Sequence, residues 1–152
     1  MVPSISLDHT APALVPESNE TPAALTPTSD LFSLAGRTVV ITGGGRGLGM
    51  TLTSAVLEAG GEVACLDLLP EPSPEEWITV QKLAKSRGLQ ATYTKCDITD
   101  EETVKDILEK IAADALGRNK PLRGLITCAG IQQMVPALEY PIEGYRKMLD
   151  VK

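Results

Sequence analysis

Short runs of β-branched and apolar residues alternate along this chain with stretches whose apolar positions recur every three or four residues. The run RTVVIT (37–42) lacks polar alternation, as expected of a strand buried on both faces. EVACLD (62–67) and GLITCAG (124–130) read the same way, whereas ATYTKCD (91–97) is less apolar and is expected nearer a sheet edge. Between them, Leu48, Leu52, Ala55, Val56 and Ala59 form one helical stripe, stopped by Gly60 and Gly61. A second helix opens at Ser73, with Pro74 in its first turn and Glu76 completing a capping box, and runs through Trp77, Val80 and Ala84 to Gly88. A third opens with a capping box from Thr99 to Glu102 and carries Val104, Ile107, Leu108, Ile111 and Ala115 on one face. A last helical pattern begins at Pro141.

Strand and helix in strict succession, joined by short turns, predict right-handed crossovers and an α/β fold. The expected architecture is a Rossmann-type parallel sheet with helices on both faces, truncated after the fourth strand and the start of the next helix. Residues 1–33 stand apart. Pro3, Pro12, Pro16, Pro22 and Pro27 are scattered among Ser, Thr and Ala, so this segment reads as a disordered leader. Residues 34–152 read as an incomplete dinucleotide-binding domain.

Composition narrows the function. Only 3% of residues are aromatic and the net charge is −6, which argues against nucleic acid and against anionic membrane surfaces. No apolar run approaches the roughly 20 residues that span a bilayer. The opening MVPSISLDHT lacks a basic start and a long apolar segment, and the first thirty residues hold no Lys or Arg; the expected location is cytoplasmic. Cys65, Cys96 and Cys128 lie in separate apolar runs, so they are expected as free, buried and inert thiols. The one histidine, His9, is in the leader, and no metal site is expected.

The chemistry concentrates at strand ends. In an open parallel sheet, ligands collect outside the carboxyl ends of the strands. There the first strand runs into TGGGRGLG (42–49), whose Gly43, Gly47 and Gly49, with Arg46 and Leu48, form a turn into a helix. Glycines let the backbone approach a pyrophosphate, and the helix start offers amides and positive dipole. The turn is not a P-loop, because Met50 stands where that motif needs its lysine. Asp67 ends the second strand, where an acid binds both ribose hydroxyls of an adenosine. Its charge repels a 2′-phosphate and favours NAD, while Arg46 could pair with that phosphate. Asp67 lies closer to the ribose, so NAD is expected and NADP is the second choice. Asp97, with the Ile98 backbone beside it, is placed to meet the adenine; its alternative role is to charge the next helix's N-terminus. At the end of the fourth strand, Cys128, Ala129 and Gly130 leave room for the cofactor against the backbone.

TGGGRGLG, Asp67, CDITD, CAGI and MLDV, in this order and spacing, resemble the short-chain dehydrogenase/reductase family over about residues 34–152. The resemblance implies hydride transfer between NAD or NADP and a carbonyl or alcohol, and a homo-oligomer. CLDLLPEPSPEEW and CAGIQQ look most like fungal members acting on sugars and polyols. It also implies a sheet order in which the fourth strand is left at an edge when the chain stops there, with marginal stability as the expected consequence. Two departures stand out. Cys128 replaces the family's Asn, which steadies neighbouring backbone. The family's catalytic Ser, Tyr and Lys belong to a later segment, so no catalytic residue is assigned. Tyr140, Tyr145 and Lys147 are expected as surface or packing residues, since positions i and i+2 face different sides of a helix. Lys152 stands at a family Asn; an exon ending in AA and read into an intron beginning GTAAG would give lysine and then a stop. The alternative reading is a non-catalytic dinucleotide-binding or regulatory fragment of such an enzyme. A methyltransferase, which also uses a glycine turn and an acid, fits CDITD and CAG less well.

Overall fold

The computed structural model describes residues 27–151, so most of the expected leader, including His9, lies outside the described residues. The described part opens with a single helical turn, α1 (Thr28–Leu31). Then follow β1 (Thr38–Thr42), α2 (Leu48–Glu58), β2 (Glu62–Asp67), α3 (Pro74–Ser86), β3 (Ala91–Lys95), α4 (Glu101–Gly117) and β4 (Leu122–Thr127). A 3₁₀ turn (Ala137–Glu139) precedes α5 (Ile142–Asp150).

All strand pairs are parallel, in the order β3-β2-β1-β4. The β-branched run of β1 is therefore central and buried over its first four residues, and β3 lies at an edge with mostly half-buried positions. Successive side chains of a strand point to opposite faces. Val39 and Ile41 accordingly join Met50, Val56 and Leu57 of α2 and Val80 and Ala84 of α3 in one core. Val40, Ala64 and Leu66 face the other way, where Val104, Ile107, Leu108 and Ile111 of α4 cover them. Helices thus cover both faces, as the alternating pattern requires.

Some boundaries differ from the pattern. β4 runs from Leu122 to Thr127; beyond it the Cys128 amide is shared between the Thr42 carbonyl and hydroxyl, and the Ala129 amide donates to the hydroxyl. The strand includes exposed Arg123, which the run GLITCAG leaves out. Neither capping box forms. Ser73 precedes α3 without a side-chain cap bond, and its amide instead donates to the Gly45 carbonyl at 2.8 Å. The N-cap of α4 is Asp100, which accepts from the Thr103 amide at 3.1 Å, while Thr99 is engaged by Asp97. At the opposite end of the sheet, buried Glu62 accepts from Arg118 Nε at 3.1 Å and Lys120 Nζ at 2.9 Å. No helix among the described residues is long and apolar enough to cross a membrane.

Candidate functional site

A cleft of about 1020 Å³ opens over the carboxyl ends of the strands. All eleven residues singled out in the sequence line it: Gly43, Arg46, Gly47, Leu48, Gly49, Asp67, Asp97, Ile98, Cys128, Ala129 and Gly130. Parallel strands put every carboxyl end on one side of the sheet, and that is what brings together residues so far apart in the chain.

The glycine turn is built differently from the simple expectation that its glycines clear space for a phosphate pair. A Cβ on Gly43 would lie 2.7 Å from both the Cα and the N of Ala129. One on Gly45 would lie 2.8 Å from Asp67 Oδ2, and one on Gly49 would strike the Gly43 carbonyl. These glycines let the protein's own parts close on one another. Gly47 is the exception, with φ 56° and nothing within 4 Å of a Cβ. It is the N-cap of α2, whose first turn has neither a capping side chain nor an acidic residue. The first turns of α3 and α4, by contrast, carry Glu75 and Glu76, and Glu101 and Glu102. Among these three helix starts, only α2 leaves its positive end uncompensated by its own carboxylates, and it does so beside Arg46 on the cleft.

Asp67 is half-buried, and each of its carboxylate oxygens takes a backbone amide. Gly45 donates to Oδ2 at 2.9 Å and Leu69 to Oδ1 at 3.1 Å. A carboxylate has about four acceptor positions, so two remain for a diol. Asp97 Oδ1 accepts from the Thr99 amide at 3.0 Å and the Thr99 hydroxyl at 2.7 Å, an Asx turn, not a bond to the amides of α4. The two Thr99 bonds hold its carboxyl below the usual range, with a smaller contribution from the Lys147 ammonium.

Other residues on the cleft were not singled out from the sequence. Thr42 positions one wall: its hydroxyl accepts from the amides of Cys128 at 3.2 Å and Ala129 at 3.3 Å. That hydroxyl steadies the backbone where the resemblance would place an Asn; the signal available was a polar residue closing an apolar strand. Leu68, Leu69 and Glu101 also line the cleft, as does Lys147, which sits on its rim instead of being only a surface residue. Ile142, Tyr145, Met148 and Leu149 put Lys147 on the polar side of α5, but the pattern does not say that the cleft lies on that side. Tyr145 is 47% exposed and Tyr140 half-buried, and neither lines the cleft. Cys65 and Cys96 are buried as expected, but Cys128 is only half-buried. Burial pushes the Cys65 thiol up to about 11. Among the described residues, no cluster of three or more His, Cys, Asp or Glu side chains could hold a metal ion.

Comparison with known proteins places this geometry. The family model described as short chain dehydrogenase matches residues 37–152. The short chain dehydrogenase/reductase notP′ of Aspergillus versicolor is 42% identical over 123 residues, which cover 81% of this chain and 41% of that protein. The solved NADPH-dependent 3-quinuclidinone reductase from Rhodotorula rubra superimposes with a TM-score of 0.66 at 32% identity, covering 90% of this chain and 49% of that one. The gluconate 5-dehydrogenase from Burkholderia cenocepacia, solved with NADP and tartrate, gives a TM-score of 0.63 at 27% identity, covering 81% and 45%. The chain spans less than half the length of each of these relatives.

Proposed function

The chain belongs to the short chain dehydrogenase family, and from that membership we propose that its cleft binds a nicotinamide dinucleotide, NAD before NADP, as the cofactor-binding part of an oxidoreductase acting on a carbonyl or alcohol. The observation that carries this reading is that the uncompensated start of α2 and the amide-held carboxylate of Asp67 share one cleft. The residues fit such a group. Gly47 leaves open space where a Cβ would point, beside amides suited to a pyrophosphate. Asp67 has acceptor positions left for ribose hydroxyls. Asp97 and Ile98 flank the adenine end, and the Cys128–Gly130 backbone, held by Thr42, forms the opposite wall. The bound nicotinamide would supply or accept hydride. This chain's residues hold and orient it.

The preference for NAD rests on Asp67, since the two solved relatives are named with NADPH and NADP. Two unit charges 4 Å apart interact by about 1 kcal/mol in water and about 4 kcal/mol at the effective dielectric near a protein surface. A half-buried carboxylate fixed by two amides is held where it repels a 2′-phosphate, whereas Arg46 is exposed and its attraction is screened by water. A sugar, sugar acid or polyol is the substrate class we favour, on the likeness to the gluconate 5-dehydrogenase. A second reading is dinucleotide binding without catalysis, in which the cleft holds the cofactor and no more. Titration with NADH and NADPH, followed by calorimetry, tests the proposal. NADH is expected to bind more tightly, and Asp67→Ala to remove the preference. A folded sample that binds neither dinucleotide overturns it, and binding without turnover of any polyol favours the second reading.

A further inference from the structure

Tyr93 stands in the middle of β3, opposite Cys65, while Lys95 stands opposite Asp67. Residues two apart in a strand share a face, so Tyr93 and Asp67 lie on the same side of the sheet. The Tyr93 ring meets Trp77 of α3 edge-on, with centroids 5.9 Å apart and an interplanar angle of 67°. Its hydroxyl reaches out of the strand and donates to the Leu69 carbonyl at 2.8 Å. That carbonyl belongs to the peptide bond with Pro70, which has no N–H, so the carbonyl is the peptide's only hydrogen-bonding group. The Leu69 amide meanwhile donates to Asp67 Oδ1. One loop residue is thus held at both ends, by Tyr93 and by the acid of the cofactor cleft. Pro72 removes a second donor from the same loop. Ser73 closes it onto the glycine turn through the Gly45 carbonyl.

We propose that Tyr93 is a positioning residue for cofactor selectivity: through Leu69 it fixes the Asp67 carboxylate in the orientation that accepts ribose hydroxyls and repels a 2′-phosphate. This inference rests on the reading of the cleft as a dinucleotide site. The edge-on contact with Trp77 needs only a ring, so the hydroxyl is the part whose role the packing does not explain. Burial and the nearby Asp67 charge push the phenol up to about 12, so the hydroxyl remains a donor at neutral pH.

Tyr93→Phe keeps the ring and deletes the donor. Dissociation constants for NADH and NADPH are measured for the native protein, Tyr93→Phe, Asp67→Ala and the double variant, each with its melting temperature. NADH affinity is expected to fall roughly two- to tenfold, the equivalent of one net hydrogen bond, while NADPH affinity does not fall. In the Asp67→Ala background Tyr93→Phe is expected to change neither constant, because the residue acts through that carboxylate. Equal losses for both cofactors, no loss for NADH, or a loss that persists without Asp67 overturns the inference. Failure of the native protein to bind either cofactor overturns the cleft reading and this inference together.

Discussion

Replacing Gly43 by alanine separates the two reasons a turn can need glycine. Gly43 has φ 69°, and a Cβ there would sit 2.7 Å from two backbone atoms of Ala129 and 2.9 Å from the Cys128 carbonyl carbon. Left-handed backbone costs an L-residue about 1–2 kcal/mol. The clash adds about 1–3 kcal/mol, toward the upper end because backbone atoms cannot swing aside as a side-chain tip can. Alanine's smaller unfolded-state entropy returns about 0.4–1 kcal/mol. The net expectation is a destabilisation of about 2–4 kcal/mol. Gly88 supplies the control, with φ 64° and nothing within 4 Å of a Cβ, so Gly88→Ala carries the strain without the clash. It should cost about 1 kcal/mol on the same terms. Trp77, the single tryptophan, packs partly buried against the α2–α3 core, and its fluorescence in a urea titration reports both losses. If Gly43→Ala and Gly88→Ala fall within about 0.5 kcal/mol of each other, near the limit of additivity for such comparisons, the packing argument for Gly43 is wrong.

Three further outcomes are expected. Glu62 keeps only 5% of its side chain exposed, while its partners Arg118 and Lys120 keep 38% and 28%, so the cluster should respond asymmetrically. Glu62→Leu lets both cations return to water and costs about 1 kcal/mol, whereas Arg118→Met with Lys120→Met strands a buried carboxylate and costs about 3–5 kcal/mol; equal losses by urea titration refute this. Because burial raises the Cys65 thiol from 9.0 to about 11, its contribution to stability is complete below pH 9 and lost as pH rises to about 11, by up to about 3 kcal/mol. Cys65→Ala should flatten melting temperature against pH in that window, and an unchanged slope counts against the assignment. A thiol reagent should label Cys128, half-buried on the cleft, before Cys65 and Cys96, with NADH slowing it; mass spectrometry of the labelled peptides reads the order.

The sheet and the residues of its cleft were legible because both follow from short-range pattern. A β-branched run such as TVVI can be satisfied only between two neighbours, and a strict strand–helix alternation puts every carboxyl end on one side. Caps and strand ends were less legible because they depend on competition between neighbours. Thr99 reads as an N-cap until Asp97 takes both its amide and its hydroxyl, after which Asp100 caps α4. GLITCAG reads as one strand, but Thr42, far away in sequence, meets its end with a side chain: the Cys128 amide is shared between the Thr42 carbonyl and hydroxyl, and the Ala129 amide donates to the hydroxyl. Lys147 was illegible for a related reason. Ile142, Tyr145, Met148 and Leu149 put it on the polar side of α5, but only the placement of α5 beside the strand ends, far from it in sequence, makes that side meet the cleft.

The glycine turn shows why residue type locates a site more readily than it explains one. Glycine density reads as room for a ligand, yet here it chiefly measures how closely three protein segments pack. The end of β4 presses on Gly43, Asp67 on Gly45, and the first turn of α2 folds back onto Gly43 through Gly49. Only Gly47 opens onto free space. The placement of Asp67 is therefore tied to the turn through the Gly45 amide, and the turn is tied to β4 through Ala129. On the proposed reading of the cleft, a substitution that enlarges Gly43 should disturb the NADH-to-NADPH ratio as well as stability. Gly88→Ala strains the backbone away from the turn and has no such connection, so the pair distinguishes a turn that holds Asp67 in place from one that merely precedes it.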